Sequence, residues 1–170
     1  MLYKSILCSI LYLFSYGFLH LEAVCDTIDG YFASLSKKDV YEVMHEPQVG
    51  SIGALGGFSF VLLKILALAF LLYNESYLII FFALILSRTS LFFALDLQYH
   101  ESSHFIKSIQ NAYKTPLYLK LLFLPFNLLT KFILSGLKKK LGFINGDTLG
   151  FTIEIQEIIY LNLGILLIQF

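Results

Sequence analysis

Long apolar runs separated by short polar ones limit this fold more than anything else in the chain. Crossing a bilayer as a helix takes roughly 20 mainly apolar residues. Four or five stretches qualify: residues 6–21, running on into an acidic stretch, 51–73, 77–95, 117–137 and 148–170. The chain is 58% hydrophobic and 14% charged, against about 45–50% and about 25% in soluble domains. The expected fold is therefore all-α, a polytopic integral membrane bundle with about five hydrophobic segments. Residues 1–170 form a single transmembrane domain on this reading. Formal net charge is zero, so nothing points to nucleic acid. Cys8 and Cys25 fit neither a disulfide framework nor a metal pattern and read as small apolar residues. No A-x-A cleavage box follows the first run, so it reads as a retained helix rather than a cleaved signal.

The polar links carry local signals. In 36–48, Ser36 and Asp39 resemble a capping box, which predicts a short interfacial helix ended by Pro47, Gly50 and Gly53. Pro125 inside 117–137 predicts a kink or a split.

Acidic residues in this setting need a reason. Glu22, Asp26 and Asp29 are spaced i, i+4, i+7 and form one helical stripe with no lysine between residues 5 and 36. Asp147, Gly150, Glu154 and Glu157 form a second stripe. Attraction of acids to a helix N-terminus accounts for Asp147, which can also cap it. It does not reach Glu154 and Glu157, roughly 10–15 Å further along at 1.5 Å per residue. Clustered carboxylates near lipid imply a cation, and oxygen-only ligands favour Mg²⁺ or Mn²⁺. Lys64 and Arg88 lie inside apolar runs. They can pair with the carboxylates or grip phosphate oxygens. Together these residues suggest Mg²⁺-dependent phosphoryl transfer within a membrane, with a carboxylate accepting a proton from an attacking hydroxyl.

At this point the residues resemble a family, cobalamin synthase (adenosylcobinamide-GDP ribazoletransferase). Its first signature, H-x-D-G-x-x-D-T-x-D-G, reads HLEAVCDTIDG here, retaining His20, Asp26, Thr27, Asp29 and Gly30. A basic residue followed by D-S-R-I-G-x-x-G reads HEPQVGSIG, retaining Gly50 and Gly53. Lys64 and Ser87-Arg88 match a lysine and a Ser-Arg in the following spans, and T-G-D-x-x-G-x-x-x-E-x-x-E reads NGDTLGFTIEIQE. Glu22 and Ala23 depart from the pattern, as does Glu46-Pro47-Gln48, which lacks the arginine. The pattern also sets the chain as shortened at its N-terminus, which bears on activity more than on family.

The resemblance implies a multi-pass enzyme of the cell (inner) membrane. It implies transfer of adenosylcobinamide phosphate from adenosylcobinamide-GDP to α-ribazole or its 5′-phosphate, with release of GMP. The implied site assigns metal binding to Glu22, Asp26, Asp29, Asp147, Glu154 and Glu157. Asp26, Asp29 and Glu154 are catalytic, and His20, Lys64 and Arg88 meet the substrate diphosphate. Mg²⁺ is the cofactor, the lipid bilayer a partner, and oligomeric state is left open.

Two other functions compete. HESSH, His100 to His104, matches the H-E-x-x-H zinc-protease pattern. Its Ser-Ser centre and loop setting favour plain interfacial polar residues. An ion- or proton-coupled transporter would also use intramembrane carboxylates, though no inverted repeat supports one. Lysine counts leave orientation open: Lys4 and Lys138 to Lys140 fall opposite Lys37, Lys38, Lys107 and Lys114. A single crossing by 117–137 would put Asp29 and Asp147 on opposite faces. A re-entrant break at Pro125, the favoured expectation, restores one face.

Overall fold

A computed structural model of the chain describes residues 2–15, 18, 20–89, 92, 108, 110–111 and 114–169. Eight helices are described: α1 Leu2–Ser15, α2 Leu21–Leu35, α3 Val40–Met44, α4 Ser51–Tyr73, α5 Tyr77–Arg88, α6 Leu117–Leu122, α7 Leu124–Leu141 and α8 Gly146–Gln169. No strand occurs among the described residues, so the all-α expectation holds. Two helices, α4 and α8, are long and apolar enough to cross a membrane, while α1 and α5 are shorter apolar helices.

Several boundaries differ from the sequence reading. The run 6–21 does not continue as one helix into the acidic stretch. α1 ends at Ser15, Phe18 takes a positive φ of 52°, and α2 starts afresh at Leu21. The Leu21 N–H bonds back to the Phe18 carbonyl at 2.7 Å, closing the turn. The short polar helix starts at Val40 with Asp39 as its cap, accepting from the Glu42 N–H at 3.1 Å. Ser36 instead closes α2. The run 117–137 breaks at Phe123 into α6 and α7, and Pro125 sits in the first turn of α7. Its missing N–H has no intrahelical acceptor to lose there. α5 ends at Arg88, and residues 93–95 of the expected span lie outside the described residues.

Burial is ordered as in a bilayer protein. Phe132 is 76% and Leu167 79% exposed, whereas Lys64, Gln156 and Glu157 are at most 1% exposed. In water that inversion would be expensive, but against lipid the outward apolar side chains need no cover and the polar ones must pair inside. Two apolar clusters hold the helices. Leu134 of α7 packs with Ile144, Leu149 and Ile153, and Ala67, Leu68 and Leu71 of α4 pack with Ala83 and Leu161. The molecule is read here as a membrane protein.

Candidate active site

The site is built where α2, α4 and α8 meet. α8 crosses α2 closely at Gly150, where an added Cβ would lie 2.8 Å from the Ala23 Cβ and 3.4 Å from His20 Nδ1. One turn from that crossing on each helix stand Asp26 and Asp147. They are electrostatic neighbours, with Glu22 and Asp29 adding further negative charge around Asp26. Both acidic stripes therefore reach the same end of the bundle.

Local capping positions Asp147. Asn145 and Thr148 cap α8 reciprocally. The Thr148 N–H donates to Asn145 Oδ1 and the Asn145 N–H to Thr148 Oγ1, both at 3.0 Å. The cap expected of Asp147 is thus supplied by Asn145, whose amide also donates to Asp147 Oδ2 at 2.8 Å. This fixes the carboxylate instead of consuming it at the helix end.

Asp29 is engaged differently. Its two oxygens accept from the Gly50 N–H at 2.8 Å and the Gly53 N–H at 2.7 Å. It is an N-cap for α4 supplied from another helix, satisfying donors that helix geometry leaves unpaired. Gly50 and Gly53 are retained for space. A Cβ at Gly50 would lie 2.7 Å from Asp29 Oδ1, and one at Gly53 would run into the same carboxylate. Gly53→Ala is accordingly expected to destabilise the folded protein by about 1–3 kcal/mol through overpacking. Thermal unfolding in detergent reads this, and an unchanged midpoint would show that Asp29 is not held there.

Deeper in the bundle lies an ion-paired quartet. Lys64 Nζ is 2.8 Å from both Glu154 Oε2 and Glu157 Oε1. Arg88 pairs with Glu157 Oε2 and also donates to Ser87 Oγ at 2.7 Å. The Tyr12 hydroxyl donates to Glu157 Oε1 at 3.4 Å. Two cations and two anions cancel. Of the two roles open to Lys64 and Arg88, the structure displays carboxylate pairing. His20 stands between the layers, within electrostatic reach of Glu154, Arg88 and Lys64.

The candidate residues thus divide. Glu22, Asp26 and Asp147 form an outer layer with excess negative charge. Asp29 clamps α4, and Glu154 and Glu157 lie roughly 10–15 Å along α8 from Asp147 in the neutral inner layer. Among the described residues no three His, Cys, Asp or Glu side chains form a ready metal cage. Mg²⁺ commonly takes one or two carboxylates and completes its octahedron with water and phosphate oxygens. Asp26 and Asp147, within electrostatic reach of each other, are two carboxylates of that kind. Partial burial, then the charges of Asp147, Glu22 and Asp29, push the Asp26 carboxyl up to about 6, against the pull of His45.

His45 escaped the sequence reading, where it counted only as the basic residue of a motif. It lies within electrostatic reach of both Asp26 and Asp147. Met44 packs on Gly30 of α2, and Tyr41 meets Phe143, ahead of α8, at 5.8 Å between ring centroids. The His45 ring stacks on Tyr41 at 4.1 Å and its Nδ1 is 2.7 Å from the Tyr41 carbonyl. A carbonyl only accepts, so Nδ1 carries the hydrogen and Nε2 is the ring's proton-accepting atom. Only its place beside two acids in the fold could have found it. HESSH, 100–104, lies outside the described residues.

The family model for cobalamin-5-phosphate synthase matches residues 1–165. Among curated proteins, the adenosylcobinamide-GDP ribazoletransferase of Treponema denticola is 31% identical, with 90% of this chain and 72% of that protein covered. The protein of the same name from Fusobacterium nucleatum subsp. nucleatum is 30% identical, with coverages of 91% and 70%. That from Alkaliphilus oremlandii is 30% identical, with 89% and 68%. No solved structure matches the chain.

Proposed function

The chain belongs to the cobalamin-5-phosphate synthase family, and from that premise we propose that it is a transferase of cobalamin synthesis acting on adenosylcobinamide-GDP. The acceptor is α-ribazole or its 5′-phosphate, and GMP is released. The single observation that carries the site is the close α2–α8 crossing at Gly150, which leaves Asp26 and Asp147 within electrostatic reach of each other. Asp26 and Asp147 would hold Mg²⁺, with Glu22 beside them. Bound there, the ion would neutralise charge developing on the diphosphate oxygens. Asp29 keeps the start of α4 against α2. His45 Nε2 would take the proton of the attacking ribazole hydroxyl. That oxygen bonds to the phosphorus carrying adenosylcobinamide, and the bond to the GMP oxygen breaks. The quartet fixes the helices underneath. The test is GMP release from adenosylcobinamide-GDP by the purified chain, with and without Mg²⁺. No release despite membrane insertion would refute the reading.

The raised Asp26 carboxyl gives a pH signature. A folded pKa above the ordinary 3.8 means that the folded state binds the extra proton between about pH 4 and 6. This group's stabilising contribution is present below that window and lost as pH rises through about 6. Without metal, then, Asp26 favours the folded state more at pH 5 than at pH 7. Added Mg²⁺ is expected to raise the unfolding temperature more at pH 7 than at pH 5. Equal shifts at both pH values would show that no proton competes with the ion.

We place the site on the cytoplasmic side of a multi-pass protein of the cell (inner) membrane. Lys37, Lys38, Lys138, Lys139 and Lys140 follow α2 or end α7, and Lys140 lies 6.0 Å over the Tyr31 ring. Lys4 is at the opposite end, lining a cavity with Glu75 and Tyr77. Lys114 and Lys120 belong to the α6 region, beside the start of α7. The excess at the site end supports the orientation. With Cys8 and Cys25 replaced, a Lys38→Cys variant should react with impermeant maleimide only in inverted vesicles, and Glu75→Cys only in intact cells. The reverse pattern would overturn the placement.

A further inference from the structure

α7 carries a glycine that packing does not explain. A helix-interior glycine costs about 1 kcal/mol relative to alanine. Gly30, Gly53, Gly56, Gly57, Gly150 and Gly164 each pack where a Cβ would press on a neighbour, whereas at Gly136 a Cβ would meet nothing within 4 Å. Gly136 instead lines a cavity of about 430 Å³ in the outer wall between α2 and α7. Tyr31, Phe132 and Leu137 line it, and Lys139 stands in its rim. One helical turn separates the 76% exposed Phe132 from Gly136, and one more leads to the exposed Lys138, Lys139 and Lys140. Lys140 lies over the Tyr31 ring, joining the lysine end of α7 to α2.

The groove is apolar along its length and cationic at one end. A soluble anion would be offered the lysines but no use for the apolar floor. A zwitterionic lipid would fill the floor but gain little from the ammonium groups of Lys139 and Lys140. An acyl chain under an anionic headgroup meets both parts, and basic residues at the membrane surface attract anionic lipid. We propose that the α2–α7 groove is a binding site for one anionic phospholipid, its acyl chain laid across Gly136 and its phosphate held by Lys139 and Lys140. The proposal rests on the membrane reading and is independent of the transferase chemistry, since the groove holds none of the residues assigned to metal or proton transfer.

Native mass spectrometry of the detergent-solubilised full chain tests it with three probes: phosphatidylglycerol, phosphatidylcholine of the same chains, and glycerol 1-phosphate. Phosphatidylglycerol adducts should exceed phosphatidylcholine adducts by about tenfold, the factor given by about 1.4 kcal/mol, and glycerol 1-phosphate should not bind. Gly136→Leu should remove the preference by filling the floor. It should also unfold at an equal or higher temperature, because leucine is the better helix former. Lys139→Gln with Lys140→Gln should remove it independently, without touching the floor. Equal retention of the two lipids, binding of glycerol 1-phosphate alone, or undiminished preference in either variant would overturn the site. Recovery of the chain from cells without detergent would instead overturn the membrane reading on which it stands.

Discussion

Asp26→Asn is expected to cut Mg²⁺-dependent GMP release by about 10³-fold, with Asp147→Asn equal to it. A bound metal supplies several kcal/mol of transition-state charge stabilisation, and each factor of ten in rate needs about 1.36 kcal/mol. Removing one of two anchoring carboxylates should forfeit most of that. Asn keeps the size and some hydrogen bonding of each side chain, and it relieves the mutual repulsion around Asp26. Unfolding temperature without metal should therefore hold or rise while activity falls. Stability and rate falling together would point to a structural role, and activity within tenfold of the unmodified chain would remove Asp26 from the metal site. Steady-state GMP assays alongside thermal unfolding make the separation.

Lys64→Met should produce the largest loss of stability. Lys64 is 1% exposed and touches both Glu154 and Glu157. Its removal leaves Glu154 without that cation and Glu157 with Arg88 and the Tyr12 hydroxyl. Breaking a buried pair from one side typically costs about 3–5 kcal/mol, because the surviving charge stays buried. Adding Glu154→Gln to Lys64→Met should recover a large part, since the uncompensated anion goes with it. Unfolding midpoints of the two variants decide this. A double variant no more stable than the single one would mean that the penalty is lost packing of the lysine stem.

Much of this was legible in the sequence because helical spacing survives any change of surroundings. The stripe Glu22, Asp26, Asp29 and the stripe Asp147, Glu154, Glu157 lie on α2 and α8 as their periods require. The borders of α4 at Ser51 and Tyr73 follow Gly50 and the polar turn Asn74–Ser76. Partnership was legible only in part: Lys64 and Arg88 read as candidates for pairing with carboxylates, but not with which ones. Spacing along a helix says nothing of what another helix brings, so Asp29 read like Asp26 although its oxygens are taken by α4. Glu154 and Glu157 read like Asp147 although lysine and arginine meet them. The α1–α2 break was hidden because the run 6–21 is apolar on both sides of Phe18, whose positive φ no residue pattern announces. His45 depended on α3 folding back between Gly30 and Phe143, a tertiary contact with no local signature.

The quartet also bears on how the chain is put together. α4 enters the bilayer long before α8 has been synthesised, with Lys64 in the middle of its apolar length and its glutamate partners still inside the ribosome. A lysine at the centre of a lone helix raises the cost of insertion by at least about 2.5–3.5 kcal/mol. That debt is discharged only when α8 arrives and Glu154 and Glu157 close on it. A nascent or truncated product without α8 would leave that charge unmatched within the membrane. The finished fold conceals it.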